Sequence, residues 1–424
     1  MKSIFFLLVL SLNSLQAEVT AGQMFVKATK DGDLETIETL LSVGFNPNLP
    51  VHGYTPLYFA IQLNRTDVVH MLLASHADPN ALVMSGADAS QYGGNATPLQ
   101  LAVLLGNQHL ASILIAAGAH IDAKGTTGRT ALHYAVADDH LDTIRFLIEN
   151  GADPNARNAE GASPLDDAVW RGSLDSIAIL LAHGAHLNES DTKTGATPIN
   201  EAAFLGNTAF VKYLLQFHPD LGTPDKQGYS PLDNAIRMGK QDSALLLLEA
   251  EPKERQTPQF FGKMMDAAIR KEEPLLVEAL LRHGAPENDL LPSGSTPLDA
   301  AASAGSNKVV RILLDHGADP NISGRNGATP LEDASLTGFD SIVNMLLGHG
   351  ALVNRLNSGS GTTALYAAAS FGKGEVVKLL LNRGANPSLC GKNRKSPYQA
   401  ALENGFSEVA AQIRNHGGSR SCEQ

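Results

Sequence analysis

The 424-residue chain carries 32 Lys and Arg against 44 Asp and Glu, a formal net charge of −12, and 43% of its residues are hydrophobic. A general nucleic-acid binder needs a basic surface to neutralise phosphate, so this balance argues against one, and the apolar fraction excludes wholesale disorder. The only cysteines, Cys390 and Cys422, exclude a disulfide-dense scaffold and a Cys-rich zinc set.

Residues 1–17 read as a signal peptide: Lys2 precedes an apolar run from Ile4 to Leu12, and Ala17 offers a small residue for cleavage. That run is shorter than the roughly 20 apolar residues a spanning helix needs, and no later segment qualifies. An exported protein, periplasmic or secreted, with no membrane insertion is expected, its mature chain starting at Glu18. Residues 18–50 follow as an N-terminal capping helix pair.

From residue 51 a period of 33 takes over. Thr-Pro-Leu or a close variant starts at Thr55, Thr97, Thr130, Ser163, Thr197, Ser230, Thr296, Thr329, Thr363 and Ser396. Thr or Ser suits the N-cap, where its oxygen accepts from an orphaned helical N–H, and Pro suits the first helical position. A mid-unit glycine such as Gly106, Gly172, Gly206, Gly239, Gly305 or Gly338 ends the first short helix. The second helix carries apolar pairs such as Ile113-Leu114, Ile179-Leu180 and Ile312-Leu313 at helical spacing, and stops at Gly-Ala. Asp-Pro-Asn, as at Asp78-Pro79-Asn80, Asp153-Pro154-Asn155 and Asp319-Pro320-Asn321, supplies turn chemistry for a projecting finger.

This divides the chain into repeats 1–6 over 51–250, with a lengthened finger at 81–95, a degenerate linker and repeat 7 over 251–293, repeats 8–11 over 294–416, and a tail at 417–424. In the degenerate unit Glu251 to Pro258 replaces the usual finger, and the spacing resumes near Met264-Met265 without the motif, a place for a bend or a boundary between half-stacks. The grammar resembles the ankyrin repeat, with Thr130-Ala131-Leu132-His133-Tyr134-Ala135 coming especially close to the family pattern. The resemblance implies an all-α solenoid of stacked helix pairs with β-turn fingers, and protein recognition along a concave groove lined by finger tips and first helices.

On that reading the two residues before each mid-unit glycine face the partner. They include Leu104 and Leu105, Trp170 and Arg171, Phe204 and Leu205, Arg237 and Met238, and Ser370 and Phe371, with Phe59 and Tyr134 one turn earlier. Exposed aromatic residues beside Arg are favoured interaction hot spots, and Trp170 is the sole tryptophan. Residues 18–227 hold 23 acidic and 11 basic residues, whereas the stretch from Gly350 onward is net basic. Asp138, Asp139, Asp166, Asp167 and Glu201 are expected to line the groove and steer a basic segment of a protein partner onto it. Met84 and Tyr92 in the lengthened finger are candidates for further contacts.

No sequence motif points to catalysis, a cofactor or a metal: His-Glu-x-x-His, phosphate-binding glycine loops and Gly-x-Ser-x-Gly are all missing. Asp166, Asp233, Asp266, Asp299 and Glu332 occupy the place where the repeat pattern carries His, and are expected to bond nearby backbone as that His does. His183, His283, His316 and His349 precede Gly-Ala and are read as structural. The chain is therefore expected to be a monomeric, non-enzymatic interaction scaffold. A secreted effector acting on host proteins is the alternative within binding, and an enzyme with an unrecognised site is the alternative outside it. Cys390 and Cys422 are expected to close a C-terminal disulfide staple over the last repeat, since export favours such a bond.

Overall fold

The computed structural model describes residues 15–51, 53–82 and 96–420, with side chains from residue 21 onward. The leader up to residue 14, the lengthened finger with Met84 and Tyr92, and Cys422 lie outside the described residues. Among those described there are 24 α-helices, one 3-10 turn and no named strand. None of these helices is long and apolar enough to cross a membrane.

The helices come in pairs, and the first helix of each pair begins as its sequence dictates. Thr97 accepts from Gln100 N–H at 3.2 Å while the Gln100 side chain accepts from Thr97 N–H at 2.9 Å. Ser163 and Ser230 form the same reciprocal box with Asp166 and Asp233. Pro at the first position costs nothing, because that N–H has no helical partner. Mid-unit glycines are required twice over: Gly305 has φ +80°, and a Cβ there would lie 2.5 Å from the Phe339 ring of the next repeat. Each repeat buries an apolar stripe it cannot cover alone, such as Leu165, Val169, Ile177 and Leu180, by packing first helix on first helix and second on second.

The finger asparagines do more than turn the chain. Asn155 Nδ2 donates to Gly184 O at 3.0 Å in the following repeat, and its Oδ1 accepts from His186 N–H at 2.7 Å. Asn48, Asn80, Asn321 and Asn354 make the same two-pronged clip. Asp122 keeps only the accepting half, from Asp153 N–H at 3.0 Å, because a carboxylate has no N–H to give.

The degenerate unit is an extended helix with a displaced start. Thr257 caps a 13-residue helix, Pro258–Arg270, where the other first helices of the regular repeats have seven or eight residues. The extra turn buries Phe261, and Met264 and Met265 resume the register within it. Before it, Glu251 pairs with Arg255 Nε at 2.7 Å across the 3-10 turn Lys253–Arg255.

The contacts divide the chain into two units, one running up to Ala202 with Tyr213–Tyr229, the other comprising Ala203–Lys212 and Ser230–Gln424. The long helix at 258–270 lies inside the second unit, so this division falls earlier than the half-stack boundary expected near residues 251–270. The N-terminal pair, Leu15–Asp31 and Leu34–Ser42, belongs to the first and carries a Phe25–Phe45 stack at 4.8 Å.

Replacing Asn155 or Asn321 by Ala removes two inter-repeat hydrogen bonds at a partly hydrated position, and is expected to cost about 1–2 kcal/mol each. Chemical denaturation of the two variants measures it; an unchanged midpoint would show that the clips are incidental.

Candidate functional site

The first helix of the Ser163 repeat, Pro164–Arg171, presents its C-terminal end to solvent. Trp170 is 55% exposed and Arg171 is exposed beside it. Leu105, at the matching end of Pro98–Leu104, is 41% exposed, and Asp138 is exposed at the end of Ala131–Ala137. Leu104 and Phe59 are half-buried, with Lys30 Nζ 4.2 Å from the Phe59 centroid. In the second unit Met238 is exposed, whereas Phe204 and Leu205 are half-buried, and the Arg237 guanidinium lies 5.8 Å from the Phe204 ring. The exposed Phe371 belongs to that unit too.

Three expected lining residues are placed otherwise. Tyr134 is 8% exposed, its hydroxyl 3.3 Å from Thr127 Oγ1 and its ring under Arg129 at 5.8 Å. Glu201 is 7% exposed, and Asp167 is largely buried, paired with Arg129 Nη2 at 3.0 Å. All three sit four places after the N-cap, where the helix turns the side chain toward the adjacent first helix; the positions seven and eight after the cap are the ones that reach water. Asp166 is buried as well, bound to Ser163 N–H at 2.7 Å, and Asp139 is exposed.

Next to Trp170 the first unit therefore holds three carboxyl groups together. Burial pushes Glu201 up to about 9; Asp166 and its other acidic neighbours add to the rise, and a hydrogen bond from the Trp170 side chain opposes it. Asp166 and Asp167 are each raised to about 6, again by burial first. Arg129 does not cancel the rise at Asp167 because its own side chain is partly in water. Asp166 Oδ1, Asp167 Oδ2 and Glu201 Oε2 are all buried with no hydrogen-bond partner.

The place of the pattern's His explains part of this strain. At His133 the ring does two jobs: Nδ1 accepts from Thr130 N–H at 3.2 Å and Nε2 reaches Ala162 O, at 3.2 Å, in the next finger. Burial holds it neutral, lowered to about 4. Gln100 does likewise, its amide donating to Ala123 O and Arg129 O at 2.7 and 2.8 Å. Asp166 can accept from Ser163 but, when ionised, has no proton for the next finger. Glu332 solves the problem differently, accepting from Thr362 Oγ1 at 2.7 Å and Asn357 Nδ2 at 2.8 Å.

His183, His316 and His349 each place Nδ1 within 2.7 to 2.9 Å of the carbonyl four residues back, closing their own helix ends. Among the described residues no group of three or more His, Cys, Asp or Glu is placed to hold a metal ion.

Models of ankyrin repeats in three copies match residues 3–83, 80–158, 128–191, 165–256 and 264–357, and a model of ankyrin repeats in many copies matches 337–381. The chain belongs to the ankyrin repeat family. It is an all-α repeat solenoid of the kind that serves as a protein–protein interaction scaffold. An ankyrin repeat protein of fowlpox virus is 33% identical over 240 residues, covering 52% of this chain and 43% of that protein. The glycerophosphocholine phosphodiesterase of Schizosaccharomyces pombe is 37% identical over 112 residues, or 26% of this chain and 9% of the enzyme. The 2-5A-dependent ribonuclease of Homo sapiens is 33% identical over 97 residues, 22% of this chain and 12% of the enzyme. The chain thus spans less than half the length of these relatives, and ankyrin repeats are typically non-catalytic.

At the C-terminal end of this ankyrin array no described cysteine is free, and Cys390 is disulfide-bonded. The start of the tail is held at the last repeat: Gly418 N–H donates to Ile413 O of the final helix at 3.0 Å, and Ser396 Oγ, at the cap of Pro397–Glu403, donates to Ser419 O at 2.6 Å.

Two measurements check these features. Glu201 titrates near its ordinary 4.5 when unfolded and near 9 when folded, so its contribution to stability is full below about 4.5 and is lost as pH rises toward 9. The melting temperature of the wild type should therefore fall more steeply than that of Glu201→Gln between those limits; parallel curves would contradict the assignment. Thiol titration of the unfolded, unreduced protein should find none, and two free thiols would rule out a Cys390–Cys422 bond.

Proposed function

We propose that this chain is an exported, non-catalytic scaffold that takes a protein partner on the concave side of its repeats, through the solvent-facing ends of the first helices. The observation that carries the reading is Trp170: a large aromatic side chain, 55% exposed, next to the exposed Arg171. Such a ring costs free energy to leave in water, and Trp with Arg is a favoured hot-spot combination. The acidic excess of residues 18–227 supports a partner that offers a basic segment. The leader-like residues 1–17 support export to the periplasm or beyond the cell, the mature chain beginning at Glu18.

Affinity capture with the mature chain as bait, repeated with Trp170→Ala, tests the binding reading. Truncation of an exposed ring should leave the melting temperature nearly unchanged while weakening the captured partner by about 1–2 kcal/mol or more. Its association rate should fall with added salt, because exposed charges are screened beyond about 8 Å at physiological ionic strength. A partner that binds Trp170→Ala as tightly as wild type would remove this face from the reading. Intact mass of the protein from fractionated cells decides export: a chain starting at Glu18 outside the cytoplasm supports it, and an uncleaved cytoplasmic chain refutes it.

A further inference from the structure

Three aromatic rings on the first helices of this protein are covered by a cation of its own. Lys30 covers Phe59 and Arg129 covers Tyr134 in the first unit; in the second, Arg237 covers Phe204. Trp170 has a larger π-surface than any of them and is more exposed, yet no described Lys or Arg lies over its ring. The carboxylates around it are under-compensated as well. Arg129 reaches Asp167 alone, and Arg157 is engaged by Glu189 and by the carbonyls of Gly161 and Ser190. Glu201 Oε2 and Asp166 Oδ1, on side chains more than nine-tenths buried, have no donor.

We infer that Trp170 is the seat for a guanidinium group: an arginine side chain of the protein partner stacks on the open face of the indole, beside the carboxyl cluster of Glu201, Asp166 and Asp167. The inference rests on the proposed function and names the chemistry of its contact. Three properties select arginine. Its planar, weakly hydrated cation stacks on aromatic faces, where an ammonium keeps its water. The indole is the strongest cation-binding ring among side chains. Asp166 and Asp167, each raised only to about 6, are mainly ionised at neutral pH and supply a negative field beside the ring from positions where water screens them little.

The full mature chain is titrated with tetra-arginine amide, tetra-lysine amide and the uncharged isostere tetra-citrulline amide at about 150 mM salt, where long-range attraction is screened. Fluorescence of the single tryptophan reads the wild type, and calorimetry reads every variant. The arginine peptide should bind saturably with a change in Trp emission, the lysine peptide several-fold more weakly, and the citrulline peptide not measurably. Trp170→Ala, checked for native helicity by circular dichroism, should lose at least about fivefold in affinity, as expected of a partly desolvated cation–π contact. Trp170→Phe, which keeps a ring, should lose less, and Asp166→Asn, which removes a charge while keeping an acceptor for Ser163 N–H, should weaken the arginine peptide at neutral pH. Equal arginine affinity in wild type and Trp170→Ala, or equal affinity for lysine and arginine, overturns the inference. If the captured partner depends on Trp170 while the arginine peptide does not, this inference fails and the proposed function stands. If peptide binding depends on Trp170 but partner binding does not, the proposed function fails instead.

Discussion

Register between repeats is fixed at five places by an asparagine clip between consecutive fingers. An isolated repeat of this length cannot cover its own apolar stripe, so its helices hold their places only through the neighbours. Hydrophobic packing brings neighbours together but is tolerant of sliding; a side-chain amide that must donate to one backbone carbonyl and accept from an N–H two residues on is not. At Asn80, Asn155, Asn321 and Asn354 the donor lengths are 3.0 to 3.1 Å, a constancy that shows the same offset being set again and again. Because the offset repeats, the ends of successive first helices fall in register within a unit, and an exposed side chain such as Leu105 recurs at a matching position as Arg171.

A second inter-repeat link, from the third helical position to the next finger, determines where charge accumulates. His133 and Gln100 hold a donor and an acceptor in one side chain, and so satisfy their own N-cap and the following finger together. An ionised Asp at the same place completes the cap and leaves the finger without a donor. Burial of that carboxyl, with one oxygen left without a partner, raises Asp166 to about 6. Where acids from successive repeats adjoin, the effect compounds: Asp333 is raised to about 8, by burial first and then by the neighbouring Asp299 carboxyl, whose two oxygens are themselves buried without a hydrogen-bond partner. The exchange of His for Asp therefore removes a link to the next finger and gathers buried acids behind the first helices.

Local features were legible in the sequence, because they are decided within a few residues. Caps at Thr97, Ser163 and Ser230, the glycine stops and the pairing of helices follow from hydrogen-bond valence and allowed backbone angles alone. The family followed from their repetition. Burial at the fourth position after the cap was not legible: Tyr134, Asp167 and Glu201 carry polar groups that suit a surface, and only the distance to the next first helix places them inside. Thr257-Pro258 was overlooked for the opposite reason. Its cap signal is intact, but it stands about one and a half turns ahead of the 33-residue register, so the period concealed a start that local chemistry announces.

The contrast between Trp170 and Phe204 shows how little separates a covered ring from an open one. Both stand seven residues after their N-cap, and each is followed by an exposed or half-exposed residue before a left-handed glycine. Phe204 has Arg237 over its face, supplied by the next first helix of its own unit. Arg237 stands seven places after its cap Ser230, and in the repeat that follows Trp170 that place is held by Phe204, which has no positive charge to offer. An arginine at that place in one repeat thus closes an aromatic surface, while an uncharged side chain there in another supplies no cation, and Trp170 stays open beside the Asp166 and Asp167 carboxyl groups. Recognition capacity on such an array is created by the choice of one side chain in the adjacent repeat, with the backbone and the clips unchanged.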